Sequence, residues 1–259
     1  MKKFISTLLL FLGIILSTAA QNVIRGVVVD SEKNTQLKGV AINVKKNTAN
    51  TITNENGVFI LQNLTIENSS GDIGQAVALS VFSDRVVVDN CKIIGNQDTL
   101  YASGIGKQYY KNCYIEGTTD FIFGSATAFF DNCEIHSKKD SYITAASTPK
   151  EANFGYVFKN CNLSANTVTS KVYLGRPWRI YAKTVFINCI LGNHILPEGW
   201  HNWSKPDAER TCFYAEYQNL GIGANNSKRV LWSRQLSKKE IKQYTITNIL
   251  GNSNWYENY

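Results

Sequence analysis

QYYKNCYIEG (residues 108–117) and AFFDNCEIHS (128–137) carry one pattern twenty residues apart: a β-rich run, Asn, Cys, then a shorter second run. The pattern recurs in FILQNLTIEN (59–68), VVVDNCKIIG (86–95), YVFKNCNLSA (156–165) and TVFINCILGN (184–193), with Leu in place of Cys in the first. The Asn residues are 63, 90, 112, 132, 160 and 188, so the intervals are 27, 22, 20, 28 and 28. Periods in the twenties, built from β-branched and aromatic residues, point to stacked β coils, and their irregularity to loops inserted at one place in the coil. The expected fold is all-β: a right-handed parallel β-helix over 59–259, with equivalent positions of neighbouring coils about 4.8 Å apart.

Stacking then assigns roles to the repeat positions. Cys91, Cys113, Cys133, Cys161 and Cys189 should form an inward ladder of small apolar side chains. An exported chain could form disulfides, but side chains stacked in one direction are poorly aimed for them. The Asn residues should form a second ladder at the turn. Ser237-Lys238-Lys239-Glu240 has the form of a capping box, opening a short helix through about Tyr244 that is expected to cover the edge of the last coil.

Ahead of the coils the chain has a different character. MKKFISTLLLFLGIILSTAA (1–20) combines two lysines, an apolar run and a small-residue end, the pattern of a secretory signal peptide of bacterial type. Its removal takes Lys2 and Lys3 away, so the formal charge of +7 becomes +5. Residues 21–58 alternate short β runs with turn clusters and resemble part of a carboxypeptidase-regulatory-like β module, too little of one to enclose its own core. The product is expected to be secreted, periplasmic or at the cell surface. A basic exported chain suits an anionic partner such as an acidic polysaccharide. It has no basic run interleaved with aromatics, so no nucleic-acid partner is expected. No stretch after the signal is long and apolar enough for stable membrane insertion, and a monomer is expected. His136, His194 and His201 are the only histidines and form no metal-ligand spacing with the cysteines, so no metal or cofactor is expected.

Aligned on their Asn, NCKIIGNQD and NCYIEGTTD both have Asp eight residues on, so Asp98 and Asp120 share a repeat position. Two carboxylates one coil apart should have separated pKa values, one ionised as nucleophile and the other protonated as general acid. Spacing alone does not separate that reading from a ladder of turn Asp residues. Asp140 also lies eight after its Asn, yet HSKKDS reads as a solvated turn.

The segments GQAVAL (74–79), GNQDTLY (95–101), DFIFG (120–124) and LGRPW (174–178) resemble, in order, the signature blocks of the pectin methylesterases. ILPEGW (195–200) and FYAEYQNLGIGA (213–224) are similar to that family as well. The resemblance implies that Asp120 is the nucleophile, that Asp98 is general acid and then base, and that Gln97 and Gln75 hold the oxyanion. It implies that Arg176 fixes and charges the nucleophile, lowering its pKa, and that Trp178, Tyr101, Phe123 and Trp200 line a sugar groove for methyl-esterified homogalacturonan. On their own chemistry Trp178 and Trp200 would read as core aromatics; their motif context favours the groove.

Two departures stand out. The family's coils before GQAVAL, with their G-x-Y-x-E block, are absent, which should leave the N-terminal end of the β-helix open. Either residues 21–58 cap that end, or the chain is a shortened fusion of weak stability or activity. In YITAAST, Ala146 replaces a family Gln, altering a groove contact. The rival readings are a non-catalytic carbohydrate-binding or surface β-helix, and a calcium-dependent pectate lyase, for which no acidic cation cluster is evident. No G-x-S-x-G supports a serine hydrolase.

Overall fold

The computed structural model describes strand positions 23–26, 28–29, 36–37, 41–43 and 50–52, and residues 59–251 and 254–257; the signal peptide expected at 1–20 lies outside them. Residues 59–235 wind into a parallel β-helix with three sheets. The longest contains Phe59–Gln62, Val86–Asp89, Lys107–Lys111, Thr127–Asp131, Tyr156–Lys159, Lys183–Ile187, Phe213–Tyr217 and Arg234–Gln235, each parallel to the next. The second runs from Thr65–Glu67 to Ile190–Leu191, and the third from Leu79–Val81 to Tyr173–Gly175. Val23–Gly26 lies antiparallel to Phe59–Gln62 at the first coil.

The Asn positions make the bend between the first two sheets. Asn63, Asn90, Asn112, Asn132, Asn160 and Asn188 all have φ between 50° and 57°, the left-handed region that Asn tolerates better than most residues. Their amides connect neighbouring coils, Asn90 Nδ2 donating to Asn63 Oδ1 at 2.6 Å and Asn132 Nδ2 to Asn112 Oδ1 at 2.8 Å. Each Cys that follows points inward. The five ladder cysteines are buried and, with Cys212, unbonded to one another by disulfides. Their thiols donate to carbonyl oxygens instead, as Cys113 Sγ does to Val88 O at 3.3 Å.

The core is a set of like-on-like stacks because the register aligns equivalent residues. Tyr110, Phe130, Phe158 and Phe186 lie one above another with ring centroids 4.4 to 4.6 Å apart and planes within 11°. Such aromatic pairs add about 0.5–1.5 kcal/mol each beyond the burial of their area. Ile93, Ile115, Ile135, Leu163 and Leu191 make the corresponding aliphatic column.

The longest sheet is apolar on its outer face too, with Val87, Tyr109, Phe129, Val157, Val185 and Ala215 buried there. The C-terminal segment covers that face, not the edge of the last coil as expected from sequence. The capping box forms, Ser237 N donating to Glu240 Oε2 at 2.8 Å and Glu240 N to Ser237 Oγ at 3.2 Å, and opens a single turn over Glu240–Gln243. The helix Ile246–Leu250 then sets Ile249 and Leu250 on the sheet, followed by Trp255 and Tyr256. Apolar outward residues on mid-sheet strands demand more cover than one strand edge, which explains the placement.

Candidate active site

Eight of the nine residues singled out from sequence meet in one cleft of about 470 Å³ beside the third sheet: Asp120, Asp98, Gln97, Gln75, Arg176, Trp178, Tyr101 and Phe123. Coil register brings them together. Gln75 and Gln97 pair as a parallel bridge, the N–H of Asp98 donates to Thr119 O, and that of Asp120 donates to Tyr142 O. Asp98 and Asp120 therefore hold equivalent places in successive coils, as the spacing suggested. Both occupy left-handed turns, with φ of 62° and 50°, and both are buried.

Arg176 arrives from a neighbouring strand. Tyr173–Gly175 pairs with Tyr142–Ala146, and the N–H of Arg176 donates to Thr144 O. Gly175 permits this approach, since a Cβ there would fall 2.0 Å from Thr144 Oγ1. The guanidinium engages Asp120 with two bonds, Nε to Oδ1 at 2.9 Å and Nη2 to Oδ2 at 2.7 Å. Its Cζ lies 3.9 Å from the ring centre of Tyr142 and 3.7 Å from that of Trp203.

The two carboxyls are set apart by what surrounds them. Burial, followed by the charge of Asp120, pushes Asp98 up to about 6, against a hydrogen bond from Gln75 and the charge of Arg176. Burial also raises Asp120, and here the expectation from sequence is corrected: Arg176 pulls downward, but burial outweighs it. The two bonds from Arg176 favour the charged form of Asp120, and burial beside that charge favours the protonated form of Asp98. Gln75 and Gln97 add neutral amide donors at the same end of the cleft.

Aromatic rings wall the remainder. The register sets Tyr101 on Phe123, with centroids 4.4 Å apart and planes 2° apart. Trp178 is 5.9 Å from Phe123, and Phe82 meets Tyr101 edge-on at 5.0 Å. The ninth residue, Trp200, is not in the cleft. It is 1% exposed inside the last coils, stacked on Tyr214 at 4.4 Å. Its bridge to Gly175 extends the third sheet and turns the indole inward. Trp203 lines the cleft in its place. Ala146 is fully buried, and Ala145 faces the cleft at that point. Asp140 anchors an exposed turn, as its surroundings suggested, Oδ1 accepting from the N–H groups of Ser170 and Lys171.

Sequence reasoning missed Trp203, Tyr142, Lys205 and Phe82. The second Trp of GWHNW, three residues after the first, was the available signal for Trp203. Among the described residues, no three His, Cys, Asp or Glu side chains converge as a metal site. No described helix is long and apolar enough to cross a membrane.

Comparison with known proteins places these features in context. The family model Pectinesterase matches residues 14–253, a span that takes in 21–58 as well as the coils. Pectinesterase 31 of Arabidopsis thaliana is 44% identical over 188 residues, covering 72% of this chain and 59% of its own length. Probable pectinesterase A of Neosartorya fischeri is 45% identical over 175 residues, covering 66% and 53%. The chain thus spans little more than half the length of these curated relatives. The pectin methylesterase from carrot superposes with a TM-score of 0.70 at 35% identity, over 74% of this chain and 65% of that one.

Proposed function

The chain belongs to the pectinesterase family, and from that premise we propose that it hydrolyses the methyl esters of homogalacturonan to pectate and methanol. The observation that carries this reading is the buried pair of Asp residues in register, one clasped by Arg176 through two hydrogen bonds and the other raised to about 6.

In this reading, an oxygen of Asp120 attacks the ester carbonyl carbon. The amides of Gln75 and Gln97 donate to the oxyanion of the tetrahedral intermediate, neutral donors that gain strength as charge develops. The C–OCH₃ bond then breaks, and Asp98 gives its proton to the departing methoxide oxygen, leaving an anhydride between Asp120 and the uronate. Asp98, now ionised, takes a proton from water as the hydroxide oxygen attacks the uronate acyl carbon. Asp120 leaves as carboxylate, the uronic acid is freed and loses its proton to solvent, and Asp98 ends protonated. Tyr101, Phe123 and Trp178 offer flat apolar faces to the sugar rings. We place this activity outside the cytoplasm, in a monomeric protein freed of residues 1–20.

Methanol release from highly methylated homogalacturonan tests the proposal. Wild type should release it at a rate indifferent to a chelator. Asp120→Asn, with an unchanged circular dichroism spectrum, should be slower by about a thousandfold or more. A folded wild type releasing none, or Asp120→Asn matching it, overturns the proposal. Chelator-sensitive cleavage of the polysaccharide chain with no methanol released points instead to the calcium-dependent lyase.

A further inference from the structure

Residues 201–205 form a strap whose backbone is strained where it meets the site. Trp203 and Ser204 have φ of 55° and 52°, a conformation rare for a residue as bulky as Trp. Such strain persists only when surrounding contacts over-determine it. The contacts are present: Trp203 N–H donates to His201 Nδ1 at 2.9 Å, Ser204 N–H to Asn202 Oδ1 at 2.9 Å, and Asn202 Nδ2 to Glu209 Oε1 at 2.6 Å. Lys205 ties the strap to the segment bearing Arg176, its Nζ donating to Pro177 O at 3.0 Å and Trp178 O at 3.1 Å. The result is a layered arrangement, Tyr142 and Trp203 each within 4 Å of the Arg176 Cζ and Lys205 Nζ 4.4 Å from the Trp203 ring centre.

We propose that Trp203 is a positioning residue, held by the Lys205 strap so that the Arg176 guanidinium stays in the plane from which it clasps Asp120 through two bonds. A guanidinium between two aromatic faces cannot rotate without losing both contacts, and the contacts strengthen as water is excluded. The function of the clasp rests on the ester-hydrolysis reading above; the clasp itself does not. Asp120 is faced by Arg176 from one side, Lys205 from the strap, Asp98 from the preceding coil and the Tyr214 phenol from the coil interior. Arg176 is the strongest of these pulls toward the ionised form.

The test compares Trp203→Leu, which keeps bulk and loses the π face, with Trp203→Phe, which keeps a smaller face. Trp203→Leu should lower kcat about tenfold or more and move the acidic limb of the kcat profile upward, while Trp203→Phe should recover most of both. A Leu variant that changes only KM, leaving the acidic limb in place, overturns the proposal and makes Trp203 a plain groove wall. The second readout needs no turnover: ¹³C NMR titration of the Asp120 carboxyl should find it titrating higher in Trp203→Leu than in wild type. An unmoved Asp120 titration overturns the proposal whatever the activity. A wild type inactive on methylated pectin, with Asp120 still shifted in the variant, sinks the ester-hydrolysis reading and leaves the clasp standing.

Discussion

Two arginines in this protein each hold a buried carboxylate through two hydrogen bonds, and they do opposite things. Arg229 gives Nε and Nη2 to Glu216 at 2.7 and 3.1 Å, a pair with side chains only 4% and 3% exposed. Its other contacts go to the carbonyl oxygens of Leu196, Pro197, Gly223 and Asn225, and Glu216 also accepts from Asn219. That pair is a closed clasp, stitching the loops after the last coils onto the strand Phe213–Tyr217. Arg176 and Asp120 have the same bonds but are 17% and 7% exposed, front a cleft, and stand beside a second carboxyl, Asp98. The pairing chemistry is shared. What differs is the access left to the carboxylate, and on the proposed function that access is what would make one pair reactive and leave the other structural.

Exchanging each arginine for Met should expose the difference, and should do so in opposite assays. Arg176→Met is expected to cost about a thousandfold in methanol release, since the nucleophile loses its charge partner and its orientation. Its loss of stability should be the smaller, because Asp120 can take up a proton or water at the cleft. Arg229→Met should lower the unfolding free energy by about 3–5 kcal/mol in denaturant titration, because Glu216 is left charged and enclosed. Its kcat per folded molecule should hold. Should Arg229→Met lose activity with stability intact, the two pairs are not different in kind. A sharper version removes both partners: Arg229→Met with Glu216→Leu should regain most of the stability, as an apolar pair in a buried site often matches an ionic one.

The arginine contrast also explains what the sequence disclosed. The coils were legible because each feature of the repeat is local: an Asn that accepts a left-handed φ, then a Cys that turns inward. Once the coils are stacked, Asp98 and Asp120 follow by counting. Arg176 was legible only through the LGRPW block, since nothing local ties it to a carboxylate 56 residues away. Trp200 and Trp203 lie in a long excursion, where no period fixes which ring turns inward; a bridge to Gly175 decided it. Arg229–Glu216 was invisible for a similar reason, as a loop folding back onto a strand leaves no spacing rule. The net upward shift of Asp120 depends on burial, a quantity that no short stretch of residues records.

The smallest expected effect concerns Asp98 and tests the sign of the contrast. Its folded-state pKa of about 6 lies above the 3.8 of an unperturbed Asp, so folding favours the protonated form. The stability this provides is fully present below the unfolded value and is lost as pH rises through about 6; above that, an ionised Asp98 works against the fold. Asp98→Asn should therefore leave stability nearly unchanged at about pH 4 and raise it at about pH 8, by roughly 1–3 kcal/mol as an upper range. Glu216→Gln, which removes a charge that Arg229 is committed to, should move the other way and weaken the fold at about pH 8. Denaturant unfolding of the two variants at both pH values decides the matter. If Asp98→Asn gains nothing on going alkaline, Asp98 is an ordinary turn carboxylate like Asp140, and the cleft has lost its proton donor. If it gains stability while losing methanol release, the protein keeps at this position a carboxyl that costs stability and is retained for its proton.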